Sequence, residues 1–267
     1  MTESRTISEH WTREGLGQAI LDALVASGKD LRTLTVDDLA PLDQFHGGGK
    51  AATVRLARLA DLQPGMRVLD VGGGVGGPAR TLAVEFGCHV SSIDLTASYV
   101  QAAEMLTERL GLADRVTHRI GDALALPFDD ASLDVVWTQN SGMNIADKGR
   151  LYRGFHRVLR RGGLLVLQEP MAGPVRPVVF PLMWARDAAG SHLADPAELR
   201  ALIESTGFET RAWEDVTAET AGGAAPPLSI QRLVMGDALD EINRAGRRNR
   251  EERRIVMTQA VFIRSGV

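Results

Sequence analysis

The stretch VLDVGGGVGGPARTL, residues 68–82, carries the strongest fold signal in the chain. An apolar run ends in Asp70, five glycines fall within residues 72–77, and Pro78 begins a pattern with helical spacing. This order predicts a strand, a tight turn and the start of a helix, because glycine permits the turn and proline suits the first helical turn. A turn without side-chain bulk presents bare backbone N–H groups to a ligand.

Strands and helices alternate from this stretch onwards. The hydrophobic pattern predicts strands at 67–71, 89–94, 116–121, 133–138 and 164–169, and helices at 78–86, 98–110 and 148–159. Further along, it predicts a capped helix at 196–206, a strand at 209–215, a turn-rich linker at 221–227, a helix at 228–247 and a strand at 255–264. The alternation indicates an α/β fold with parallel strands and crossover helices on both faces.

Two regions interrupt the alternation. Residues 1–60 are predicted to form an N-terminal helical cap or lid, with helices at 15–27 and 49–60 and a loop at 42–49. The main domain then covers residues 61–267 and contains an irregular, proline-rich and apolar insertion at 170–193. This composition is typical of a wall of a substrate pocket, although packing in the core or at a subunit interface is the alternative.

Composition narrows the class of protein. The chain has 267 residues, 44% of them hydrophobic, and a net charge of −4, which argues against nucleic acid as a partner. The sequence has no apolar run of membrane-spanning length and an N-terminus without an apolar signal core, so we expect a cytoplasmic protein. The single cysteine, Cys88, excludes an intramolecular disulfide and a cysteine-cluster metal site, and we expect no metal. Either a monomer or a homodimer fits.

The glycine turn alone leaves two cofactors open. Gly72, Gly74 and Gly77 match the GxGxxG fingerprint of dinucleotide-binding turns. Asp94 ends the second predicted strand, 22 residues after Gly72, where its carboxylate is expected to accept hydrogen bonds from ribose hydroxyls. Both NAD and S-adenosylmethionine contain that ribose.

Three further features favour S-adenosylmethionine. Asp70 precedes the glycine turn, where its carboxylate is expected to organise the loop and to face a cationic amine. Asp122 follows the third strand and is placed to accept a hydrogen bond from an adenine amino group. Gln139 and Asn140 follow the fourth strand and offer neutral polar groups near a reacting centre.

Residues 61–169 resemble the class I S-adenosylmethionine-dependent methyltransferases. VLDVGGG (68–74), SIDL (92–95), and GDA (121–123) with LPFD (126–129) are similar to three motifs of that family. RVLRRGGLL (157–165) is similar to a turn of its small-molecule branch, which includes quinone and tocopherol methyltransferases. The resemblance implies a Rossmann-like, seven-stranded, mostly parallel sheet whose last strand is antiparallel. It also implies S-adenosyl-L-methionine as the cofactor and S-adenosyl-L-homocysteine as the product.

The resemblance and the strand-end residues together give a predicted cofactor-binding set. Its members are Gln44, Asp70, Gly72, Gly73, Gly74, Asp94, Leu95, Asp122, Ala123, Gln139 and Asn140. The similarity further suggests that the loop at residues 44–49 closes over the methionine end of the cofactor, with a simple hinge as the alternative.

The expected reaction is an in-line methyl transfer to a small, hydrophobic or ring-bearing metabolite such as a natural product or a quinone-like compound. A general base is needed only when the acceptor atom carries a proton, and the candidates are His46 and His192, with no base equally open. The predicted substrate-binding residues are Met143, Met171, Phe180, Met183 and Trp184. The sequence does not specify carbon, nitrogen or oxygen as the acceptor atom.

Two other functions remain as alternatives. An NAD-dependent oxidoreductase is disfavoured because neither Tyr99 nor Tyr152 belongs to a Tyr-x-x-x-Lys pair. A protein of the same fold that binds S-adenosylmethionine without transferring its methyl group differs from the enzyme only in the product it releases.

Overall fold

A computed structural model describes residues 10–221 and 229–266. Its strands are β1 (Arg67–Val71), β2 (His89–Asp94), β3 (Val116–Ile120), β4 (Leu133–Gln139), β5 (Leu159–Ala172), β6 (Phe208–Asp215) and β7 (Ile255–Arg264). They form one seven-stranded sheet in the order β3-β2-β1-β4-β5-β7-β6. Strand β7 is antiparallel to both neighbours, whereas β1 to β5 pair in parallel, which confirms the predicted fold class.

Helices cover the sheet and build the N-terminal region. They are α1 (Leu16–Ala26), α2 (Val36–Asp43), α3 (Gly49–Leu59), α4 (Gly77–Glu85), α5 (Ala97–Arg109), α6 (Lys148–Val158), α7 (Pro196–Ser205), α8 (Ile230–Met235) and α9 (Leu239–Glu251). Short 3-10 turns occur at Gly142–Asn144, Ala188–Gly190 and Gly236–Ala238. None of the helices in the described ranges has both the length and the apolar run that crossing a membrane requires.

Alternation along the strands divides the core into two layers. Val68 packs on one face of the sheet with Leu56 of α3 and Leu82 of α4, while Leu69 packs on the other face with Phe155 of α6. Successive strand side chains point to opposite faces, so these buried strands read as continuous apolar runs. A third cluster joins α1 and α2 to α5, α8 and α9, and it places the N-terminal helices over the carboxyl edge of the sheet.

The sequence prediction differs from the structure in three elements. The sequence prediction places no separate helix at α2, whose last two residues fall in the predicted loop at 42–49; α2 begins at a capping box in which Thr35 and Asp38 each accept a hydrogen bond from the other's backbone N–H. Strand β5 extends well beyond the predicted 164–169, because its second half pairs with β7. The helix predicted at 228–247 is broken at Gly236, whose φ is 53°. Residue 228 and residues 222–227 of the predicted linker lie outside the described residues.

Candidate functional site

A cavity of about 550 Å³ lies at the carboxyl edge of the sheet. Its floor follows β1 to β4, and its other walls come from the loop at 44–49, the insertion at 170–193, α9 and the start of β7. This is the edge at which open α/β sheets bind ligands, and the volume is that of a small-molecule site.

The glycine turn forms the cavity floor next to β1. The Gly72 N–H donates to the Ile93 carbonyl at 2.8 Å, and the φ angles of Gly72 and Gly74 are 72° and 55°. A Cβ atom at Gly72 would lie 2.1 Å from Ser141 Oγ, whereas one at Gly74 would meet only Tyr99, at 3.9 Å. Gly72 is therefore required by packing within the protein, and Gly74 leaves its space to the cavity.

Asp94 is held rigidly at the cavity wall. Its Oδ2 accepts the Gly74 N–H at 3.0 Å, and its Oδ1 accepts the Thr96 N–H at 2.8 Å. Burial raises the pKa of Asp94, and these two backbone donors oppose that rise. The surrounding walls shelter the carboxyl, but the side chain keeps an accessible face towards the cavity. Each oxygen has further lone-pair capacity, so a diol could donate to it.

The turn after β3 supplies the next part of the wall. Asp122 Oδ1 accepts the Leu124 N–H at 2.8 Å, which fixes the carboxylate at the strand end. Ala123 and Leu95 line the cavity beside it. Three successive strand ends therefore present the glycine turn, Asp94 and Asp122 side by side, as the sequence predicts.

Asp70 is placed differently from the prediction. Its side chain is buried beneath the glycine turn, where Ser92 Oγ donates to Oδ2 at 3.4 Å and a Cβ at Gly73 would lie 2.5 Å from that oxygen. Burial, and secondarily the charge of Asp94, raises the pKa of Asp70 to about 7. Asp70 is not among the residues lining the cavity, so it can support the loop but does not face a ligand amine.

The end of β4 contributes Gln139 and Asn140. Gln139 Oε1 accepts hydrogen bonds from Trp137 Nε1 and Thr53 Oγ1, both at 3.0 Å. Asn140 adopts a left-handed φ of 55°, and its buried Oδ1 has no hydrogen-bond partner within the part of the chain that the structure describes. Strain and an unsatisfied acceptor at one cavity-lining residue are typical of a ligand-contacting position.

The loop at 44–49 closes the cavity from the N-terminal side. Gln44 Nε2 donates to Thr81 Oγ1 at 3.1 Å, and Gln44 Oε1 lies 3.0 Å from His46 Nε2. Burial lowers the pKa of His46 to about 4. His46 is therefore neutral at pH 7 and is held by Gln44 and Thr53 at the cavity wall.

The predicted acceptor wall is assembled only in part. Met143, Met183 and Trp184 line the cavity. Met171, on β5, is fully buried in the hydrophobic core. Phe180 is half-buried and is not a lining residue, so neither side chain contacts the cavity. The prediction placed both there because they share the apolar insertion, but strand β5 extends through Met171 and directs it into the core.

His192 also lies outside the main cavity. It borders a separate space of about 10 Å³, where its backbone N–H donates to the Met143 carbonyl at 2.8 Å and its carbonyl accepts from Lys148. This placement does not fit the prediction that His192 reaches the reacting centre.

Several cavity residues have no signal in the local sequence. Helix α9 and the start of β7 bring in Ile242, Asn243, Gly246, Arg250, Val256 and Met257. They come from the last part of the chain, and only the pairing of β7 with β5 places them beside the residues that follow β1 to β4.

Comparison with known proteins agrees with this geometry. A family model described as a methyltransferase domain matches residues 69–167. The sarcosine/dimethylglycine N-methyltransferase of Halorhodospira halochloris is 30% identical over 200 residues, which are 73% of this chain and 70% of that protein. The glycine/sarcosine/dimethylglycine N-methyltransferase of Actinopolyspora halophila is 33% identical over 132 residues, 49% of this chain; the chain spans only 23% of that relative.

Solved structures share the whole fold. The geranyl diphosphate C-methyltransferase of Streptomyces coelicolor A3(2) superposes with a TM-score of 0.69 and 18% identity, over 99% of this chain and 98% of that one. The cyclase SpnF superposes with a TM-score of 0.71 and 20% identity, over 100% and 97% of the two chains. At these identities the structures establish the fold, and the Halorhodospira relative establishes the family. The chain belongs to the class I S-adenosylmethionine-dependent methyltransferases, in the small-molecule branch.

Proposed function

We propose that the protein binds S-adenosylmethionine across the ends of β1 to β4 and transfers its methyl group to a small metabolite. The observation that carries this proposal is the Asp94 carboxylate, which two backbone N–H groups hold against the cavity between the glycine turn and Asp122. In this arrangement Asp94 accepts from the ribose hydroxyls and Asp122 from the adenine amino group.

Other residues that line the cavity fit the parts of S-adenosylmethionine beyond its ribose and adenine. Gly74 leaves space that a side chain would fill, and the Asn140 Oδ1 atom lacks a partner. Gln44 and Gln139 line the wall through hydrogen-bonded side chains. We assign them, with Gly72, Gly73, Leu95 and Ala123, to the cofactor-binding surface. When bound, the cofactor supplies a methyl group on a sulfonium, which is already activated for displacement.

The protein's contribution to methyl transfer is alignment and the exclusion of water. Methyl transfer is an in-line displacement, and fixing the two reacting atoms can account for much of its acceleration. Met143, Met183 and Trp184 supply apolar walls that position an acceptor and keep water out. His46 is neutral at pH 7 and lines the cavity, so it is our candidate base for an acceptor that carries a proton.

Calorimetry with S-adenosylmethionine, S-adenosylhomocysteine and NAD tests the cofactor assignment. We expect the first two to bind and NAD not to bind. Asp94→Ala should weaken S-adenosylhomocysteine binding by at least about tenfold, because two charge-assisted hydrogen bonds are lost. Asp129→Ala, a change of an exposed acid in the loop after β3, is the matched control. Equal affinity in wild type and Asp94→Ala would refute the ribose assignment.

Product analysis tests the transfer itself. Incubation with S-adenosylmethionine and a panel of apolar acceptors should release S-adenosylhomocysteine together with a methylated product. If the protein binds the cofactor and transforms an acceptor but releases no S-adenosylhomocysteine, then it uses the fold without methyl transfer.

A further inference from the structure

The cavity extends well beyond the strands assigned to the cofactor. Asp94 ends β2 and Ile255 begins β7, and these strands are four places apart in the sheet. At about 4.8 Å between neighbouring strands, their ends are roughly 19 Å apart. The part of the cavity over β5 and β7, which we call the acceptor half, is therefore separate from the nucleoside end.

One face of α9 lines the cavity, and the helix ends four residues before β7 begins. Ile242, Asn243, Gly246 and Arg250 line the cavity, and their spacing places them on one side of the helix. The Arg250 guanidinium lies beside Gly246: a Cβ there would be in ordinary contact with Arg250 Nη1, at 3.5 Å.

Hydrogen bonds to the insertion at 170–193 fix the C-terminal end of α9 in place. The side chain of Asn249, which is fully buried, accepts the Val179 N–H at 2.8 Å and donates to the Val179 carbonyl at 2.7 Å. Arg254, just after the helix, donates to the Pro177 carbonyl. These bonds attach the helix to the insertion and hold Arg250 against the cavity.

Arg250 is a half-buried cation whose guanidinium no carboxylate of the described residues contacts directly. Within residues 10–221 and 229–266, its guanidinium takes part in no ion pair and donates no hydrogen bond, and the neighbouring Glu251 is exposed. Burial, and secondarily the charge of Arg247, lowers the pKa of Arg250, and the charge of Glu251 opposes that fall. Two other arginines that are at least partly buried are paired: Arg80 with Asp43, and Arg55 with Glu214.

A guanidinium that lines a cavity and makes no hydrogen bond of its own has all its donors available to a ligand anion, and such charge-assisted pairs are strong. The same cavity has a large apolar lining, to which Met183, Trp184, Ile242, Val256 and Met257 contribute. We propose that Arg250 binds the acidic group of the methyl acceptor, so that the substrate is a small molecule with an apolar body and a carboxylate or a phosphate. This inference rests on the proposed function, because it assigns the acceptor half to a substrate.

Model amphiphiles test this without knowledge of the natural acceptor. Calorimetry on the protein saturated with S-adenosylhomocysteine would compare octanoate, octyl phosphate and octanol, which share one apolar chain. We expect at least one of the two anions to bind at least about tenfold more tightly than octanol. Their relative affinities distinguish a carboxylate from a phosphate.

Variants identify the residue. Arg250→Met should abolish the preference for the anion and leave the affinity for S-adenosylhomocysteine unchanged, and Arg250→Lys should retain part of the preference. Arg244→Met, a change of an exposed arginine on the same helix, should alter neither quantity. Thermal unfolding of each variant would confirm that it is folded.

The outcomes separate this inference from the proposed function. No S-adenosylhomocysteine binding by wild type would refute the proposed function. Normal S-adenosylhomocysteine binding with no anion preference in wild type, or with the preference intact in Arg250→Met, would refute only the role of Arg250. A fall in S-adenosylhomocysteine affinity in Arg250→Met would also overturn it, because Arg250 would then contact the cofactor.

Discussion

Arg80 Nη2 lies 3.0 Å from Asp43 Oδ2, and both side chains are completely buried. Arg80 also donates to the Val75 carbonyl in the glycine turn at 2.6 Å and to Thr107 Oγ1 of α5 at 3.0 Å. One guanidinium therefore joins the end of α2, the glycine turn and α5. This ties the N-terminal helices directly to the floor of the cavity.

Removal of one partner of this ion pair should be strongly destabilising. Arg80→Met leaves the Asp43 carboxylate buried without its counter-charge, and we expect a loss of about 3–5 kcal/mol in the free energy of unfolding. Urea denaturation measures it. Arg200→Met, which breaks an exposed pair with Glu204, is the control and should cost less than about 1 kcal/mol. Similar losses in the two variants would contradict the role of the buried pair.

Alanine substitutions at three glycines with left-handed backbones distinguish the effects of backbone strain, packing within the protein and contact with a ligand. Gly111→Ala should cost about 1 kcal/mol for strain alone, since nothing lies within 4 Å of the new Cβ. Gly74→Ala should lower the free energy of unfolding by the same amount as Gly111→Ala. It should also weaken S-adenosylhomocysteine binding by at least about tenfold, since its Cβ enters the cavity. Gly72→Ala should cost more than either because of Ser141. Unfolding and calorimetry together check this order; unchanged affinity in Gly74→Ala would place the ligand elsewhere.

Glu169 should act as a positioning residue for the turn after β4. Its buried Oε1 accepts the Gly142 N–H at 2.8 Å and the Ser141 N–H at 3.2 Å. Glu169→Ala leaves these donors unsatisfied and should cost about 2–3 kcal/mol, whereas Glu169→Gln keeps an acceptor and should cost less. Denaturant unfolding would compare both with Glu209→Gln, which changes an exposed acid. Equal losses for alanine and glutamine would show that the backbone donors do not depend on this oxygen.

The lowered pKa of His46 predicts a specific acid sensitivity. The pKa of His46 is about 4 in the folded state and near its ordinary value of 6.5 in the unfolded state. Protonation therefore favours the unfolded state, so stability is full above pH 6.5 and is lost as the pH falls towards 4. The loss approaches about 1.4 kcal/mol per pH unit within that interval. The stability of wild type relative to His46→Asn should therefore decrease between pH 7.5 and pH 5, measured by urea unfolding. The same decrease measured relative to His89→Asn, at an exposed histidine, would contradict an effect specific to His46.

The sequence predicts those features that follow from the order of strands and helices along the chain. A glycine turn followed by Asp94 and Asp122 at strand ends needs only the order of the elements, because parallel strands bring their ends to one edge. Asp70 shows the limit: its position was clear, but its direction beneath the turn depends on packing against Ser92.

Features that depend on distant segments could not be predicted. Arg80 and Asp43 lie on two different helices, and the sequence prediction names no helix at one of them, α2. Arg250 sits in a charge run that is typical of a solvated helix end, and only the return of β7 places its face on the cavity. Met171 has the composition of a pocket residue, but the extended pairing of β5 with β7 buries it.

The position of β7 has a consequence for how the molecule assembles during synthesis. Strands β1 to β5 can pair as they leave the ribosome, but β6 pairs with β7 alone and must wait for residues Ile255–Arg264. The same strand supplies Ile255, Val256 and Met257 to the cavity. A nascent chain that already has the glycine turn and Asp94 in place thus gains this wall of the cavity only after residues Ile255–Arg264 have been translated.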